Sequence, residues 1–374
     1  MQLTKYKLGD LIVQRREKNK NFDVPIRGVS KEGFIKPKQQ EADTSIYNVF
    51  YRNDFVFNPA RMELNSIALN LEFDKALCSS LYEVFYVKDE SIVLPEYLNL
   101  HIKREEFARY CDYIGLGSAR EYCRFANISG YEIELPPIDK QQEIVEADRL
   151  IKRRINLNEQ MIQNLEATAQ ALYRKTFVDN IDKENLPEGW KMGTIGEFCK
   201  EMKSGGTPSR NHNEYWDKND FLWLKSGEVH NNIIITVEEY ISQAGLNNSS
   251  AKIIPHGSVI MAMYGATAAQ VAYLNCDTTT NQACCNMICN CKEDAAYLFF
   301  HLLANQEDIK KLANGGAQEN LSQELIAQQP IVLLNDNEKI LKFVPILDNL
   351  VVLYKENEKL TELQSLLLAK MGTI

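Results

Sequence analysis

The sequence feature that most constrains the fold is a long apolar stripe that begins after Pro136-Pro137 and runs to Phe177. Pro-Pro ends a strand-like segment and suits a helix start, which Asp139 is placed to cap. Apolar residues then recur at coiled-coil spacings, with Asp148 and Asn158 as interruptions, at Ile144, Ile151, Ile155, Ile162, Leu165, Ala169 and Leu172. Roughly forty residues at about 1.5 Å each predict a rod about 60 Å long. Such a rod predicts a spacer between two parts of the chain.

A weaker stripe near the C-terminus repeats this arrangement. After a strand-like segment at Pro330, apolar positions occur at Ile340, Leu347, Val351 and Tyr354, and on a partly shifted register at Leu350, Leu353, Leu360 and Leu367. Residues 7–11 also resemble residues 194–198. Two matched anchors indicate an internal duplication of a globular unit followed by a long helix. Pro345 is expected to kink or break the second helix in its first turns.

Length and composition favour two or more folded domains. The chain has 374 residues, 45% hydrophobic and 25% charged, which is typical of a globular protein. The repeat divides it into a first domain, a central helix, a second domain and a distal helix at residues 1–136, 137–180, 181–330 and 331–374. Strands are predicted at residues 55–57, 81–87 and 128–135, a turn leading into a strand at 253–260, and helices at 95–114 and 294–304. We therefore expect mixed α/β units.

Charge and apolar content limit the partners. The net charge of −9 argues against a protein that coats nucleic acid, but it allows a DNA reader with a local basic face. No stretch approaches about eighteen uncharged apolar residues, and the N-terminus has no apolar signal region. We therefore expect a cytoplasmic protein with no membrane partner and nine reduced cysteines. The group at Cys284, Cys285, Cys289 and Cys291 favours buried strand cysteines over a metal site, since no CxxC pair or nearby His accompanies it.

The sequence contains no recognisable catalytic motif. It lacks GxxxxGK[ST], HExxH and GxSxG, the signatures of P-loops, zinc peptidases and serine hydrolases. Asn58-Pro59-Ala60-Arg61 is similar to the Asn-Pro-Pro-aromatic motif of amino-methyltransferases, but Arg61 replaces the aromatic residue and no Gly-rich cofactor loop precedes it. We expect no catalytic residue, no cofactor and no metal in this chain.

Basic residues of the first unit are candidates for DNA binding. The loop-like run at residues 14–21 contains Arg15, Arg16, Lys18 and Lys20, and Lys36 and Lys38 follow it. These side chains have the charge to contact DNA phosphates, and they are equally consistent with a solvated loop.

A loop of the second unit is a more specific candidate. Gly205-Gly206 permit a close backbone approach, and donors for phosphates or base edges are present at Lys203, Thr207, Ser209 and Arg210. The alternative is a structural turn that closes a strand pair. Lys225 and Tyr264 are further candidates, whereas Trp216 and Trp223 are expected to lie in the core.

The repeat plan and a series of motifs closely resemble the specificity subunits of type I restriction-modification systems. The second half carries the resemblance at residues 206–209, 214–216, 221–224, 254–259, 281–283 and 315–322 and in the closing Pro-Ile. In the first half the motif Leu135-Pro136-Pro137-Ile138 is followed by Gln141-Gln142-Glu143-Ile144. The second half departs from the family pattern, because Asn337-Glu338-Lys339-Ile340 replaces Gln-Gln-Glu-Ile. The resemblance covers essentially the whole chain.

The resemblance implies two target-recognition domains in tandem, each reading one half of a split double-stranded DNA site. It implies that the long helices pair as an antiparallel coiled coil, hold the domains apart and dock two methyltransferase subunits, with a restriction subunit in addition. S-adenosylmethionine chemistry on adenine then belongs to the partners. The expected helix-pairing positions are Ile144, Ile151, Ile155, Ile162, Leu165, Leu172, Ile340, Leu347, Val351 and Leu360. Because the two domains differ in sequence, the expected target is asymmetric.

Two other classes stay open. A specificity subunit of a methylation-only or related phage-defence system would share this chain without the nuclease, and genomic neighbours would separate the two. A stand-alone DNA methyltransferase is disfavoured by the missing cofactor loop, and a failure of the isolated chain to bind S-adenosylmethionine would exclude it.

Overall fold

The computed structural model describes residues 3–20, 23–37, 43–115, 122–179, 181–182, 184–313 and 320–371. The chain divides into unit 1, which comprises Met1–Arg154 and Leu360–Ile374, and unit 2, which comprises Ile155–Lys359. Part of the family-like segment 315–322 lies outside the described residues.

The elements alternate between strands and helices. The strands that precede the central helix are β1 (Thr4–Lys7), β2 (Ile12–Arg15), β3 (Gly28–Ser30), β4 (Gly33–Ile35), β5 (Asn48–Tyr51), β6 (Asp54–Phe57), β7 (Ile67–Leu69), β8 (Lys75–Cys78), β9 (Glu83–Val87) and β10 (Glu132–Leu135). The accompanying helices are α1 (Leu8–Leu11), α2 (Pro95–Ile102), α3 (Glu105–Gly115), α4 (Phe125–Ile128) and α5 (Ile138–Phe177), with 3-10 turns at Thr44–Ile46 and Pro59–Leu64.

The same alternation follows the central helix. The strands are β11 (Trp190–Thr194), β12 (Glu201–Ser204), β13 (Phe221–Leu224), β14 (Asn232–Ile234), β15 (Glu239–Ile241), β16 (Val259–Ala262), β17 (Val271–Leu274), β18 (Thr279–Thr280), β19 (Cys284–Ile288) and β20 (Pro330–Leu334). The helices are α6 (Ile195–Phe198), α7 (Gln243–Asn247), α8 (Lys292–Ala304), α9 (Gln306–Lys310), α10 (Gln323–Ala327), α11 (Glu338–Leu341) and α12 (Val344–Lys370), with 3-10 turns at Asn213–Tyr215, Ser226–Glu228 and Gly265–Thr267.

The globular part of each unit begins with the same local structure, which explains the repeat seen in the sequence. Its first strand pairs antiparallel with the last strand before the long helical segment, β1 with β10 and β11 with β20. A one-turn helix follows, in which Leu8 N donates to Tyr131 O at 2.8 Å and Ile195 N donates to Gln329 O at 2.9 Å. Leu8 and Ile195 are both fully buried. The duplication therefore places equivalent side chains in equivalent cores.

The repeated glycine of this turn has a steric cause. A Cβ on Gly9 would lie 2.9 Å from the Cβ of Ser129, and a Cβ on Gly196 would lie 3.3 Å from the Cβ of Ala327. In both units the first helical turn passes directly against the segment that leads into the closing strand. A side chain at either glycine would push these segments apart.

The main sheets of the two units share one strand order. Unit 1 has the order β2-β9-β6-β7, and unit 2 has β12-β19-β16-β17 with β14 added parallel to β17. The equivalent neighbours are antiparallel in both. Smaller sheets join β3 with β4, β5 with β8, and β15, β13 and β18 in that order. The predicted mixed α/β class is confirmed.

Several local predictions were wrong. Asp139 was expected to cap α5, but the helix begins at Ile138 and Asp139 lies in its first turn. Lys203 was assigned to a loop, but it lies on β12. Arg15 was assigned to a loop, but it ends β2, because Ile12–Arg15 pairs with β9. The strand predicted over residues 128–135 is shorter, since Phe125–Ile128 forms α4 and a turn at Ser129 and Gly130 precedes β10. The helix predicted over residues 95–114 is interrupted between α2 and α3, where Arg104 N donates to His101 O.

A buried glutamine anchors the start of α5. Gln141 is fully buried, and its Nε2 donates to Ile92 O and Pro136 O, both at 2.9 Å. Its Oε1 accepts from Leu94 N at 3.0 Å. The side chain therefore connects the helix to the segment in front of α2. The sequence of the second half has Asn337 in the corresponding motif, where α11 ends after Leu341 and α12 begins at Val344. The break predicted near Pro345 is confirmed.

The long helices pair antiparallel within each unit. In unit 2, Asn158 Nδ2 donates to Asn357 Oδ1 at 2.8 Å, and the rings of Phe177 and Phe343 lie 6.3 Å apart. In unit 1, Gln364 Nε2 donates to Asp148 Oδ1 at 2.7 Å. Residue numbers along α5 therefore increase in the direction in which residue numbers along α12 decrease. The predicted antiparallel pairing is confirmed, and both polar interruptions of the stripe face polar partners.

Candidate nucleic-acid interface

Arg210 lies at the centre of a polar cluster on the loops of unit 2. Its Cζ is 3.5 Å from the centre of the Trp216 ring and 5.1 Å from that of Trp223. Its Nη2 donates to Glu239 Oε2 at 2.6 Å. Trp223 is buried, as expected, whereas Trp216 is only half-buried and packs against the edge of the core. The guanidinium therefore stacks on one aromatic face and is held by a carboxylate, while 53% of the side chain stays exposed.

Glu239 joins Arg210 to a second predicted cation. Its Oε1 lies 3.1 Å from Lys225 Nζ, which is also 2.7 Å from Glu238 Oε2. Burial alone would raise the pKa of Glu239, but hydrogen bonds from Arg210 and Lys225 outweigh burial and lower it. Hydrogen bonds from Glu238 and Glu239 raise the pKa of Lys225. Two cations and two carboxylates thus form one charge-balanced group.

Separate hydrogen bonds connect the loop residues next to these charges. Thr207 Oγ1 donates to Gln282 Oε1, and Asn281 Nδ2 donates to Ser226 Oγ at 3.5 Å. Thr267 Oγ1 donates to Ser226 O at 3.0 Å. We call Thr207, Arg210, Lys225, Ser226, Glu239, Asn281 and Gln282 the unit 2 loop cluster.

The expected role of the glycine pair needs correction. Gly205 and Gly206 are buried, and a Cβ on either would collide with the protein itself, with Thr280 or with Ser250. Their close approach is therefore to neighbouring loops of unit 2. Trp223 Nε1 donates to Gly206 O at 3.0 Å, so the glycines support the packing that positions the cluster.

The remaining candidates of unit 2 lie around the cluster. Lys203 is on β12, where its Nζ pairs with Glu201 at 2.7 Å. Ser209 is exposed, and its carbonyl accepts from Trp216 Nε1 at 3.2 Å. Tyr264 is 43% exposed at the start of the 3-10 turn before β17. The structure thus brings Arg210 and Lys225 together on Glu239, and it bonds Thr207 to Gln282 of another loop.

Arg15 of unit 1 is engaged within its own domain. Its Nε and Nη2 donate to Asp54 at 2.6 and 3.0 Å, and its Cζ lies over the rings of Tyr51 and Tyr86 at 4.8 and 4.6 Å. Asp54 is 1% exposed. Burial raises the pKa of Asp54, and the Arg15 guanidinium opposes that increase. Arg15 thus compensates a buried carboxylate.

The other basic candidates of unit 1 are exposed. Arg16 Nε donates to Gln14 Oε1 at 2.9 Å, and Lys18 Nζ donates to Ile46 O at 2.9 Å. Lys20 and Lys36 are exposed as well. Lys38 lies outside the described residues.

The predicted helix-pairing residues lie on the inner faces of α5 and the distal helices. The buried members are Ile144, Ile151, Ile162, Ile340 and Leu347, and the half-buried members are Ile155, Leu165, Leu172, Val351 and Leu360. Two residues of the shifted register are also buried, since Leu350 and Leu353 are 1% and 5% exposed.

The cysteine group and the Asn58 motif noted in the sequence belong to the folded framework. Cys284 and Cys285 lie on β19 and are buried, as expected. The prediction was wrong for the other two, because Cys289 is half-buried, Cys291 is exposed and both follow the end of β19. Asn58 caps a 3-10 turn by accepting from Ala60 N at 3.1 Å. Within the described ranges no group of three or more His, Cys, Asp or Glu is arranged to hold a metal. In the same part of the chain, no helix has the length and apolarity needed to cross a membrane.

The duplicated units and their polar loops define a recognition protein. The chain belongs to the family of type I restriction modification DNA specificity domains, whose model matches residues 4–167 and 187–365. Members of this family are the non-catalytic DNA-recognition subunits of type I restriction-modification systems. The resemblance noted in the sequence is thereby confirmed.

Individual relatives agree with the family match. The type I restriction enzyme HindI specificity subunit of Haemophilus influenzae is 23% identical over 359 residues, covering 75% of this chain and 77% of that protein. The EcoR124I/EcoR124II specificity subunit of Escherichia coli is 26% identical over 168 residues, covering 43% of this chain and 41% of that protein. The crystal structure of a type I system S subunit from M. genitalium has the same fold, with a TM-score of 0.60, 15% identity and coverage of 99% and 96%.

Proposed function

We propose that the chain reads a bipartite, asymmetric double-stranded DNA site, one half with each unit. The observation that supports this is a repeated sheet order combined with different loop side chains. Unit 1 exposes Arg16, Lys20 and Lys36, whereas unit 2 stacks Arg210 on Trp216. Equivalent frameworks that present different donors would recognise different base sequences. A protein that binds such sites in chromosomal DNA would be located in the cytoplasm.

We further propose a division of roles among the basic residues. Arg16, Lys20 and Lys36 are exposed, so we assign them to DNA phosphates. Thr207, Arg210 and Lys225 belong to one cluster, which we assign to the target of unit 2. Arg15 is assigned a supporting role, because Asp54 occupies its guanidinium.

The helices are proposed to dock two methyltransferase subunits and, through them, restriction subunits. Apolar side chains on the outer faces support this. In unit 2, Leu157, Met161 and Val352 are 44%, 50% and 61% exposed. In unit 1, Leu150 and Leu363 are 56% and 51% exposed. Exposed apolar residues along a helix are suited to a partner interface.

Genome-wide mapping of adenine methylation in the native host tests the proposed DNA target. Deletion of the gene should abolish methylation of one split, asymmetric motif, and the wild-type gene should restore it. An unchanged methylation map would contradict the proposal. Transformation with unmodified plasmid then separates restriction from methylation alone, since only a system with an active nuclease should reduce transformation.

Capture on the tagged full-length chain tests partner docking. The double variant Leu157→Glu/Met161→Glu should lose a methyltransferase partner that the wild type retains, because two charges would enter an apolar interface. Gln163→Glu, at an exposed polar position of the same helix, is the matched control and should retain the partner. Equal capture by all forms would exclude this surface.

A further inference from the structure

The geometry around Arg210 differs from that of an ordinary phosphate-binding arginine. Its guanidinium stacks on Trp216 at 3.5 Å, and Trp216 is itself held by Nε1 donating to Ser209 O at 3.2 Å. Trp216 and Trp223 pack edge to face with centroids 5.0 Å apart. The stack therefore fixes the plane of the guanidinium before any ligand arrives, which lowers the entropy lost on binding.

The charges of the cluster disfavour a phosphate. Glu239 Oε2 lies 2.6 Å from Arg210 Nη2, and Lys225 is paired with Glu238 and Glu239. A phosphate placed on Arg210 would therefore meet carboxylates that already neutralise both cations. Glu238 and Glu239 are 71% and 30% exposed, so their charges would face the ligand. Like charges brought together oppose binding.

A base edge fits the same surroundings better. Within the described part of the chain, Glu239 is the acceptor bonded to Arg210, so the other guanidinium donors are open for a ligand. An arginine fork donates two parallel hydrogen bonds to O6 and N7 of guanine in the major groove. The neighbouring carboxylates oppose a guanine edge much less than a phosphate, because O6 and N7 carry only partial negative charges.

We propose that Arg210 recognises a guanine in the half-site of unit 2, with Trp216 and Glu239 as positioning residues. This rests on the proposed function. Arg210→Lys keeps the charge but loses the fork, so it should remove discrimination at one G·C pair and leave the other positions of the motif unchanged. The loss should be on the order of tenfold to a hundredfold for the cognate duplex relative to duplexes with another pair there.

The experiment uses complexes isolated on the tagged full-length chain and duplexes that carry the methylated motif. Each position is replaced by the other three base pairs, and affinity is measured at several salt concentrations. Arg210→Lys, Arg210→Ala and Glu239→Gln are compared with the wild type. Glu239→Gln should weaken discrimination at the same pair, and none of the three should change the salt dependence. Arg52→Ala is the matched control, since Arg52 is 50% exposed and paired with Asp74 at 2.9 Å.

The outcomes separate the two proposals. In one outcome, Arg210→Lys and Arg210→Ala weaken binding to all duplexes alike, and Arg210→Ala also lowers the slope of affinity against salt by about one. Arg210 would then contact a phosphate, so the inference would be wrong while the proposed function stands. Unchanged discrimination in both variants would also overturn the inference. If no methylated motif depends on the gene, the proposed function fails and the inference fails with it.

Discussion

Asn158 on α5 donates a hydrogen bond of 2.8 Å to Asn357 on α12 in unit 2. Asn158 is fully buried, its Oδ1 has no hydrogen-bond partner among the described residues, and Asn357 is half-buried. An amide pair between two helices lowers stability relative to apolar packing, but it disfavours registers that would place either amide against an apolar side chain. The pair therefore specifies how these helix segments align.

Replacing one amide should destabilise unit 2 more than replacing both. Asn158→Leu leaves Asn357 facing an apolar side chain and should cost about 1–3 kcal/mol of unfolding free energy. Asn158→Leu/Asn357→Leu should recover that loss, because neither polar group remains. Urea denaturation measures both, and Asn156→Leu at an exposed position is the control. A double variant as unstable as the single one would show that the amides are not coupled.

Gln141 should be far more sensitive to substitution than its neighbour Gln142. Gln141→Ala would leave Leu94 N, Ile92 O and Pro136 O without the partner that the side chain supplies. The expected loss is about 3 kcal/mol in unit 1, measured by urea denaturation. Gln142 is exposed, so Gln142→Ala should change stability by less than about 0.5 kcal/mol. Similar effects at both positions would argue against the anchoring role.

Patterns local to the sequence predicted much of the fold. The stripe from Ile144 to Leu172 predicted α5, because a helix places apolar residues three or four positions apart in the sequence itself. The repeat was detectable for the same reason, since Leu8 and Ile195 stand in matching local contexts. The boundaries near Ile128 and Ile102 were missed, because they depend on turns and packing.

The partners of the candidate site residues could not be predicted. Asp54 and Glu239 are distant in sequence from Arg15 and Arg210, and neither belongs to a motif. Gln282 was noticed as part of a family-like segment, but its bond to Thr207 depends on how two loops meet. Exposed lysines such as Lys20 carry no local signal that separates a phosphate contact from a solvated side chain.

Arg15 should be required for folding of unit 1. Arg15→Ala would leave the carboxylate of Asp54 buried without its cation, at an expected cost of about 3–5 kcal/mol. Arg15→Ala/Asp54→Asn should recover part of this loss, because the buried charge is gone. Thermal denaturation of the full chain measures both, with Arg16→Ala as the exposed control. If Arg15→Ala melts like the wild type but weakens DNA binding, Arg15 acts on DNA and not in the core.

Two buried histidines should make stability fall in mild acid. His101 and His301 are each 5% exposed, and burial lowers the pKa of each from 6.5 to about 4. Above pH 6.5 both are neutral in the folded and unfolded states, so the folded state is not penalised. Between pH 6.5 and about 4 the unfolded chain binds protons that the folded chain does not. Stability should therefore decrease as pH falls through this window, and the loss should level off below it.

Removing one histidine should flatten that pH dependence. His301 Nδ1 is hydrogen-bonded to the Tyr173 hydroxyl at 2.7 Å, and His301→Gln retains a polar group there without a titrating one. The unfolding free energy of the wild type should lose on the order of 3 kcal/mol more than that of the variant between pH 7 and 4. His230→Gln, at an exposed position, is the control and should follow the wild type. Parallel curves for His301→Gln and wild type would mean that His301 does not titrate differently on unfolding.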